Sequence, residues 1–271
     1  GAARDVLIHG DLPDPAPGLG EVLVRLRASG VNPSDVKLRA GARAGAAMGW
    51  PRIVPHSDGA GVVEAVGAGV DPARIGERVW IWNGGWQRQY GTAAELIALP
   101  AEQAVHLPDG TGFAEAACLG IPALTAWHAV FADGPVAGKT VLVTGGAGTV
   151  GRYACQMARL GGARVITTVS SAEKAAHSTA AEWVNYRDTD VAKAVLDMTG
   201  GAGVDRIVEV DFAAGQATAL ALLKPGGVIA TYASASDMQP RLDFYPLMFR
   251  NLTLRMILVY LLDPGTRRRG E

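Results

Sequence analysis

The stretch Thr140-Val-Leu-Val-Thr-Gly-Gly-Ala-Gly-Thr-Val-Gly151 decides the fold of the second half of this chain. Four residues of strand character run into a glycine-rich turn, and a helical pattern follows at Val150–Leu160. Val150, Ala154, Met157 and Ala158 recur at the spacing of one buried helix face. Gly161 and Gly162 supply the stop. The free N–H groups and dipole of such a helix start favour an anion, and Gly146, Gly148 and Gly151 allow backbone to approach it closely. A tight turn that binds nothing is the plainer reading. The strand before and the helix after favour a dinucleotide pyrophosphate.

Outward from this motif the rhythm repeats. Strands at Arg164–Val169, Arg206–Val210 and Val228–Tyr232 alternate with helices expected at Glu173–Ala181 and Gly215–Leu223. This is the βαβ pattern of a parallel sheet. The strand after the glycine turn, Arg164-Val-Ile-Thr-Thr-Val-Ser-Ser171, ends in two hydroxyls. A carboxylate at that strand end would hold a free ribose 2′-hydroxyl. Here no carboxylate appears until Glu173, Lys174 is adjacent to it and Arg187 lies further on, which suits a 2′-phosphate and hence NADPH. The alternative for Lys174 is an ordinary surface lysine.

The first hundred residues read differently. Glu21–Ala28, Gly59–Val66 and Arg78–Trp82 are strand-like segments cut by glycine and proline turns, which suggests a small barrel or sandwich. Asn32-Pro33 forms a helix start, with Asn32 as cap and Asp35 near the positive end of the dipole. The domain boundary is expected near Gln103–Asp109.

Composition bounds the rest. The 271 residues carry 25 Lys and Arg against 26 Asp and Glu, a net charge of −1, which argues against a mainly electrostatic nucleic-acid binder. Two cysteines make neither a disulfide framework nor a four-cysteine zinc site, and point to a reducing compartment such as the cytoplasm. Cys118 and Cys155 sit in apolar segments and read as small core residues. No apolar run is long enough to span a membrane. Gly1–Asp5 shows neither a signal-peptide pattern nor an initiator methionine, as in a chain trimmed at its start.

Ala28-Ser-Gly-Val-Asn-Pro-Ser-Asp-Val-Lys-Leu-Arg39 resembles the opening motif of the zinc-independent quinone oxidoreductases, the zeta-crystallin-like branch of the medium-chain dehydrogenase/reductase superfamily. The resemblance continues through Pro55-His-Ser-Asp-Gly-Ala-Gly-Val-Val-Glu-Ala-Val-Gly67, Gly91-Thr-Ala-Ala-Glu95, Gly120-Ile-Pro-Ala-Leu-Thr-Ala126, the glycine turn and Leu223-Lys-Pro-Gly-Gly227. It implies an α/β protein with a GroES-like β-barrel catalytic domain at 1–105 and a Rossmann doubly wound parallel sheet at 106–262. Residues 263–271 would begin a truncated C-terminal return segment. It further implies NADPH, a quinone or other conjugated carbonyl substrate, and a homodimer.

The same resemblance implies roles for individual residues. Asn32 lies by the nicotinamide ribose or ring and Thr125 by its carboxamide; these two are the catalytic candidates. Gly148, Thr149 and Val150 line the pyrophosphate, Thr149 standing where a glycine is common. Ser170, Ser171, Lys174 and Tyr186 surround the 2′-phosphate. Val210 lies on the adenine side, and Thr231, Tyr232, Ala233 and Ser234 lie along the nicotinamide half. Asp35 and Lys37 are near the expected reaction centre.

The chain departs from the family in three places: an abbreviated start before Leu12, an end before the return segment, and a short stretch from Lys174 to Asn185. His56 and Asp58 occupy the region of a zinc motif in the zinc-dependent relatives, but two ligands without thiolates make a poor zinc site. A hydrogen-bonded turn beside the pocket is expected there. Trp80 reads as a core residue, and Trp86 and Tyr90 as candidates to cover a flat acceptor. Two other activities are expected as alternatives: reduction of an enal or enone double bond, and single-stranded RNA binding through Arg267–Arg269. Asn251–Tyr260 is read as a last sheet strand able to pair across a two-fold axis.

Overall fold

The computed structural model describes residues 1–41 and 49–271. Two compact units divide between Ile121 and Pro122, with Glu271 grouped with the first.

The first unit is built on five strands: β1 (Glu21–Gly30), β2 (Asp58–Val66), β3 (Arg78–Ile81), β4 (Leu96–Pro100) and β5 (Ala104–His106). They form one antiparallel sheet in the order β4-β1-β2-β3-β5. The three strands expected from alternation are all present. β1 is not a plain alternating strand, since its register against β2 shifts at Leu23/Val24 and again at Leu26/Ala28. Such irregularities bend the strand and re-aim its side chains. Val22, Val24, Val63, Val79, Ile81, Ile97 and Leu99 make the core. The helices are short: α1 (Ala3–Val6), α2 (Pro33–Ala40) and α3 (Phe113–Ala116).

The second unit holds a six-stranded sheet. Its strands are β6 (Thr140–Val143), β7 (Arg164–Val169), β8 (Glu182–Asn185), β9 (Val204–Glu209), β10 (Leu223–Thr231) and β11 (Thr253–Met256). Every ladder is parallel and the order is β11-β10-β9-β6-β7-β8. The chain steps outward from β6 in one direction, then returns and steps outward from β9 in the other. That reversal opens a crevice at the carboxyl ends of β6 and β9, where open α/β sheets bind ligands.

Alternation along the strands sorts residues to two apolar layers. Val141, Val143, Val165, Val208 and Ala230 pack with residues of α4 (Gly120–Phe131) and α5 (Thr149–Leu160). Leu142, Ile166, Val184, Ile207 and Ile229 pack with α7 (Val191–Met198) and α8 (Phe212–Leu222) on the other face. A sheet covered on both faces reads as continuous apolar runs, as these strands do.

Four expectations need correction. The helix expected at Glu173–Ala181 is a single turn, α6 (Ala172–Ala175). Ser178 Oγ donates back to the Ala175 carbonyl and Thr179 turns to a φ of 61°, so the chain is already leading into β8. The strand read at Asn251–Tyr260 is confined to β11, followed by a 3₁₀ turn at Val259–Leu261. Cys118 is exposed; only Cys155 is a core residue. Arg267, grouped with Arg268 and Arg269 as an RNA-binding candidate, is not available to a ligand, for it is 4% exposed within α10 (Pro264–Gly270) and its guanidinium donates to the Val259 carbonyl at 3.0 Å. The remaining short helix is α9 (Phe244–Phe249).

Candidate functional site

The glycine turn joins β6 to α5 as expected, with Gly148 as the cap and Thr149 and Val150 as the first helical residues. The first N–H groups of a helix have no acceptor of their own, so this end offers donors to an anion. Two of the glycines are required by the protein's own packing. A methyl group on Gly146 would stand 2.0 Å from Thr167 Oγ1 on β7, and one on Gly151 would stand 2.3 Å from the Gly145 carbonyl oxygen. Their role is to seat the turn against the neighbouring strand, not only to admit a ligand. Threonine hydroxyls complete the seat: the Gly145 N–H donates to Thr168 Oγ1 at 3.0 Å, and Thr167 Oγ1 donates to the Val143 carbonyl at 2.7 Å.

The carboxyl ends of the parallel strands carry the other expected residues. β7 ends at Val169, and Ser170 and Ser171 follow it. Ser170 is buried. Ser171 Oγ caps α6, accepting from the Lys174 N–H at 3.2 Å. Lys174 is exposed on that turn, and Tyr186 is half exposed just beyond β8. Val210 follows β9, beside Gly145. Thr231 closes β10 and its hydroxyl donates to the Ala233 carbonyl. Ser234 Oγ accepts from the Ala213 N–H and donates to the Asp237 carbonyl. Tyr232 packs against the Val143–Cys155 layer, and burial pushes its phenol above the ordinary range. Thr125 is buried on α4.

Sequence reasoning passed over Glu209. It is 3% exposed at the end of β9, where Oε1 accepts from Thr144 Oγ1 and from the Asp211 N–H, both at 2.8 Å. Thr144 Oγ1 in turn accepts from the Val210 N–H at 2.9 Å. The carboxyl therefore ties the turn after β6 to the turn after β9, across the point where strand order reverses. Burial raises its pKa. A glutamate followed by one apolar and one acidic residue and then a helix gives no such signal in sequence.

In the first unit, Asn32 begins α2 as expected, and the Asp35 carboxylate accepts from its N–H at 2.7 Å. The Asn32 side chain does not cap the helix. Its Nδ2 donates to Asp58 Oδ2 at 2.8 Å, an interaction closed over 26 residues. Asp58 is fully buried. The Ile121 N–H donates to both of its oxygens, at 2.9 and 3.0 Å. Loss of water pushes its carboxyl up to about 7, against the pull of these hydrogen bonds, with the like charge of Asp35 adding to the rise. Lys37 is exposed.

The expected turn at His56-Ser57-Asp58 forms, with His56 at a φ of 76°. Its proton order follows from counting. Thr92 Oγ1 donates to the Asp58 carbonyl at 2.5 Å, so Ser29 Oγ must donate to Thr92 Oγ1 at 3.0 Å. His56 Nδ1 then donates to Ser29 Oγ at 3.0 Å. Zinc does not fit these groups. Both Asp58 oxygens already accept hydrogen bonds, and the described residues hold no group of three or more His, Cys, Asp or Glu arranged around a common point. Nearby, Trp80 and Trp82 are buried, Trp86 is half-buried and Tyr90 is 47% exposed.

Residues 18–109 match the alcohol dehydrogenase GroES-like domain family and residues 149–268 the zinc-binding dehydrogenase family. The chain is 36% identical, over 236 residues, to a quinone oxidoreductase of Pseudomonas aeruginosa, covering 86% of this chain and 70% of that protein. A quinone oxidoreductase of Pseudomonas syringae pv. Tomato superposes with a TM-score of 0.81 at 32% identity, covering 94% of this chain and 78% of the other. A mycobacterial protein solved in complex with NADPH superposes with a TM-score of 0.80 at 35% identity, covering 97% and 80%. With a GroES-like match over its antiparallel unit, a doubly wound parallel sheet in the other and this level of identity across most of its length, the chain belongs to the quinone oxidoreductase family of the medium-chain dehydrogenase/reductase superfamily.

Proposed function

We propose that the protein transfers a hydride from NADPH to a quinone without zinc. The choice of cofactor is carried by one observation: β7 ends at Val169 and is followed by Ser170 and Ser171, with the first carboxylate, Glu173, only on the next helical turn and the exposed Lys174 adjacent to it. A carboxylate at the strand end would repel a 2′-phosphate, while hydroxyls and an ammonium favour one. Gly148, Thr149 and Val150 hold the pyrophosphate through backbone donors. Ser170, Ser171, Lys174 and Tyr186 hold the adenosine phosphate, with Val210 on the adenine side. Thr125, Thr231, Tyr232, Ala233, Ser234 and Asn32 serve the nicotinamide half. When bound, NADPH supplies the hydride.

The chain's own contribution is position and exclusion of water. Charge that develops on the acceptor oxygen is met by a fixed donor or by water. A quinone yields a stabilised oxyanion, so a strong acid is not required of the protein. The support for a quinone rather than an isolated ketone is the identity to quinone oxidoreductases over most of the chain. Burial of Arg267 takes away one of the three arginines on which RNA binding would rest. Two cysteines and the open edge of β11 support a cytoplasmic homodimer. No helix among the described residues is long and apolar enough to cross a membrane.

The test is a panel of benzoquinones, naphthoquinones and enals offered to the protein with NADPH and with NADH. Quinone-dependent oxidation of NADPH, with NADH poorly used, is expected. Turnover of enals alone, or equal use of both nucleotides, would overturn the reading.

A further inference from the structure

Asn32 is one of the few side chains of the first unit assigned to the nicotinamide end, and the structure shows what holds it. Its backbone N–H is taken by Asp35 and its Nδ2 by Asp58. An asparagine amide has one end that donates and one that accepts, and the two are related by a half turn of the terminal torsion. A partner that only accepts fixes the choice. We infer that Asp58 is a positioning residue: its buried carboxylate holds the Nδ2 end of the Asn32 amide inward and so presents the Oδ1 end to the reaction centre. The inference rests on the proposed assignment of Asn32 to the nicotinamide half.

The surroundings of Asp58 leave it no other arrangement. It has no exposed surface. Both oxygens accept from the Ile121 N–H, so the carboxylate plane is held from a second direction. A methyl group at Gly120 would stand 2.2 Å from Oδ1, which shows how closely the chain is drawn around it. Its own backbone carbonyl accepts from Thr92, fixing the residue at the start of β2. The charged group acting on it is Asp35 on α2, a like charge, and Asp35 is itself acted on by His56.

A consequence follows for proton binding. Once Asp58 takes a proton from solvent it becomes a donor, and the carboxylic acid can serve Asn32 Oδ1. The amide then turns over and presents N–H groups where it had presented an oxygen. Burial places this exchange near neutrality, since the carboxyl is raised to about 7. A carboxylate that merely anchored the Ile121 N–H would leave the amide of Asn32 as it was.

The experiment follows the Asn32 side-chain amide by ¹⁵N-resolved NMR in the intact protein without nucleotide, from well below to well above neutrality. In the wild type its Nδ2H₂ signals are expected to titrate with a midpoint near neutrality, and in Asp58→Asn they are expected not to move. A flat wild-type titration overturns the inference. A parallel series measures quinone turnover at saturating NADPH for the wild type, Asp58→Asn, Asn32→Ala and the double variant. Each single change is expected to lower kcat roughly tenfold and to flatten the pH profile near neutrality, with the double variant no worse than either alone. Additive losses, or a pH limb that persists in Asn32→Ala, overturn it. If Asp58→Asn does not fold, the wild-type titration and the Asn32→Ala profile still decide. Absence of wild-type turnover with any quinone would instead sink the proposed activity, and the NMR titration would stand apart from that result.

Discussion

The glycine turn of the second unit and the Asn32–Asp58 corner of the first are built from opposite materials. At the turn, backbone N–H groups are the working parts, and side chains such as Thr167 and Thr168 hold them in place. At the corner, two side chains are the working parts, and backbone groups such as the Ile121 N–H hold them in place. The first design depends on the absence of side chains at Gly146 and Gly151, and the second on the burial of a carboxylate. The two should therefore fail in different ways.

Gly151→Val is expected to have the largest effect. Its β-carbon would lie 2.3 Å from the Gly145 oxygen, so the turn must open. Loss of measurable NADPH binding by nucleotide fluorescence is expected, with destabilisation of about 1–3 kcal/mol in a urea melt. Unchanged affinity would break the claim that packing sets the turn.

At the corner the main cost is electrostatic. A carboxyl raised to about 7 in the folded chain binds a proton that the unfolded chain, at its ordinary 3.8, has already lost. Between those pH values stability falls as pH rises, and above about 7 the loss is complete, on the order of 2–4 kcal/mol. Asp58→Asn removes that slope. The Tm of the variant relative to wild type is expected to climb from acid pH to neutrality and then level off. A difference independent of pH would show that Asp58 does not carry a buried charge.

Asn32→Ala sharpens the contrast between the designs. Roughly tenfold lower kcat is expected, with the dissociation constant of NADPH left in place. Lys174→Ala should do the reverse on a smaller scale: about fivefold weaker NADPH binding, no change with NADH, and kcat unaltered, since an exposed charge contributes ~1 kcal/mol at most. Equal effects on both nucleotides would remove Lys174 from the phosphate site.

The same contrast explains what the sequence disclosed. The β6–α5 unit was legible because each of its signals is local: an apolar strand, a glycine cluster and a helix face all lie within Thr140–Leu160. β1, β2 and β3 were legible for the same reason. The short helix after Ser171 was misjudged because Ser178 and Thr179 end it through hydroxyl bonds and a left-handed residue that leave no strong mark. The partner of Asn32 was invisible, since a short polar residue before a proline reads as a helix cap. Only the contact with Asp58, 26 residues away, diverts it. Glu209, Arg267 and Cys118 were misread or missed on the same ground, because burial is a property of the whole fold.

The two thiols offer an internal clock for that fold. Cys118 is open to solvent, whereas Cys155 is shut inside the second unit and burial raises its thiol to about 11. An alkylating reagent should count one sulfur in the native protein and two once the parallel sheet comes apart. The lag between the first and second label would time the opening of that sheet without any added probe.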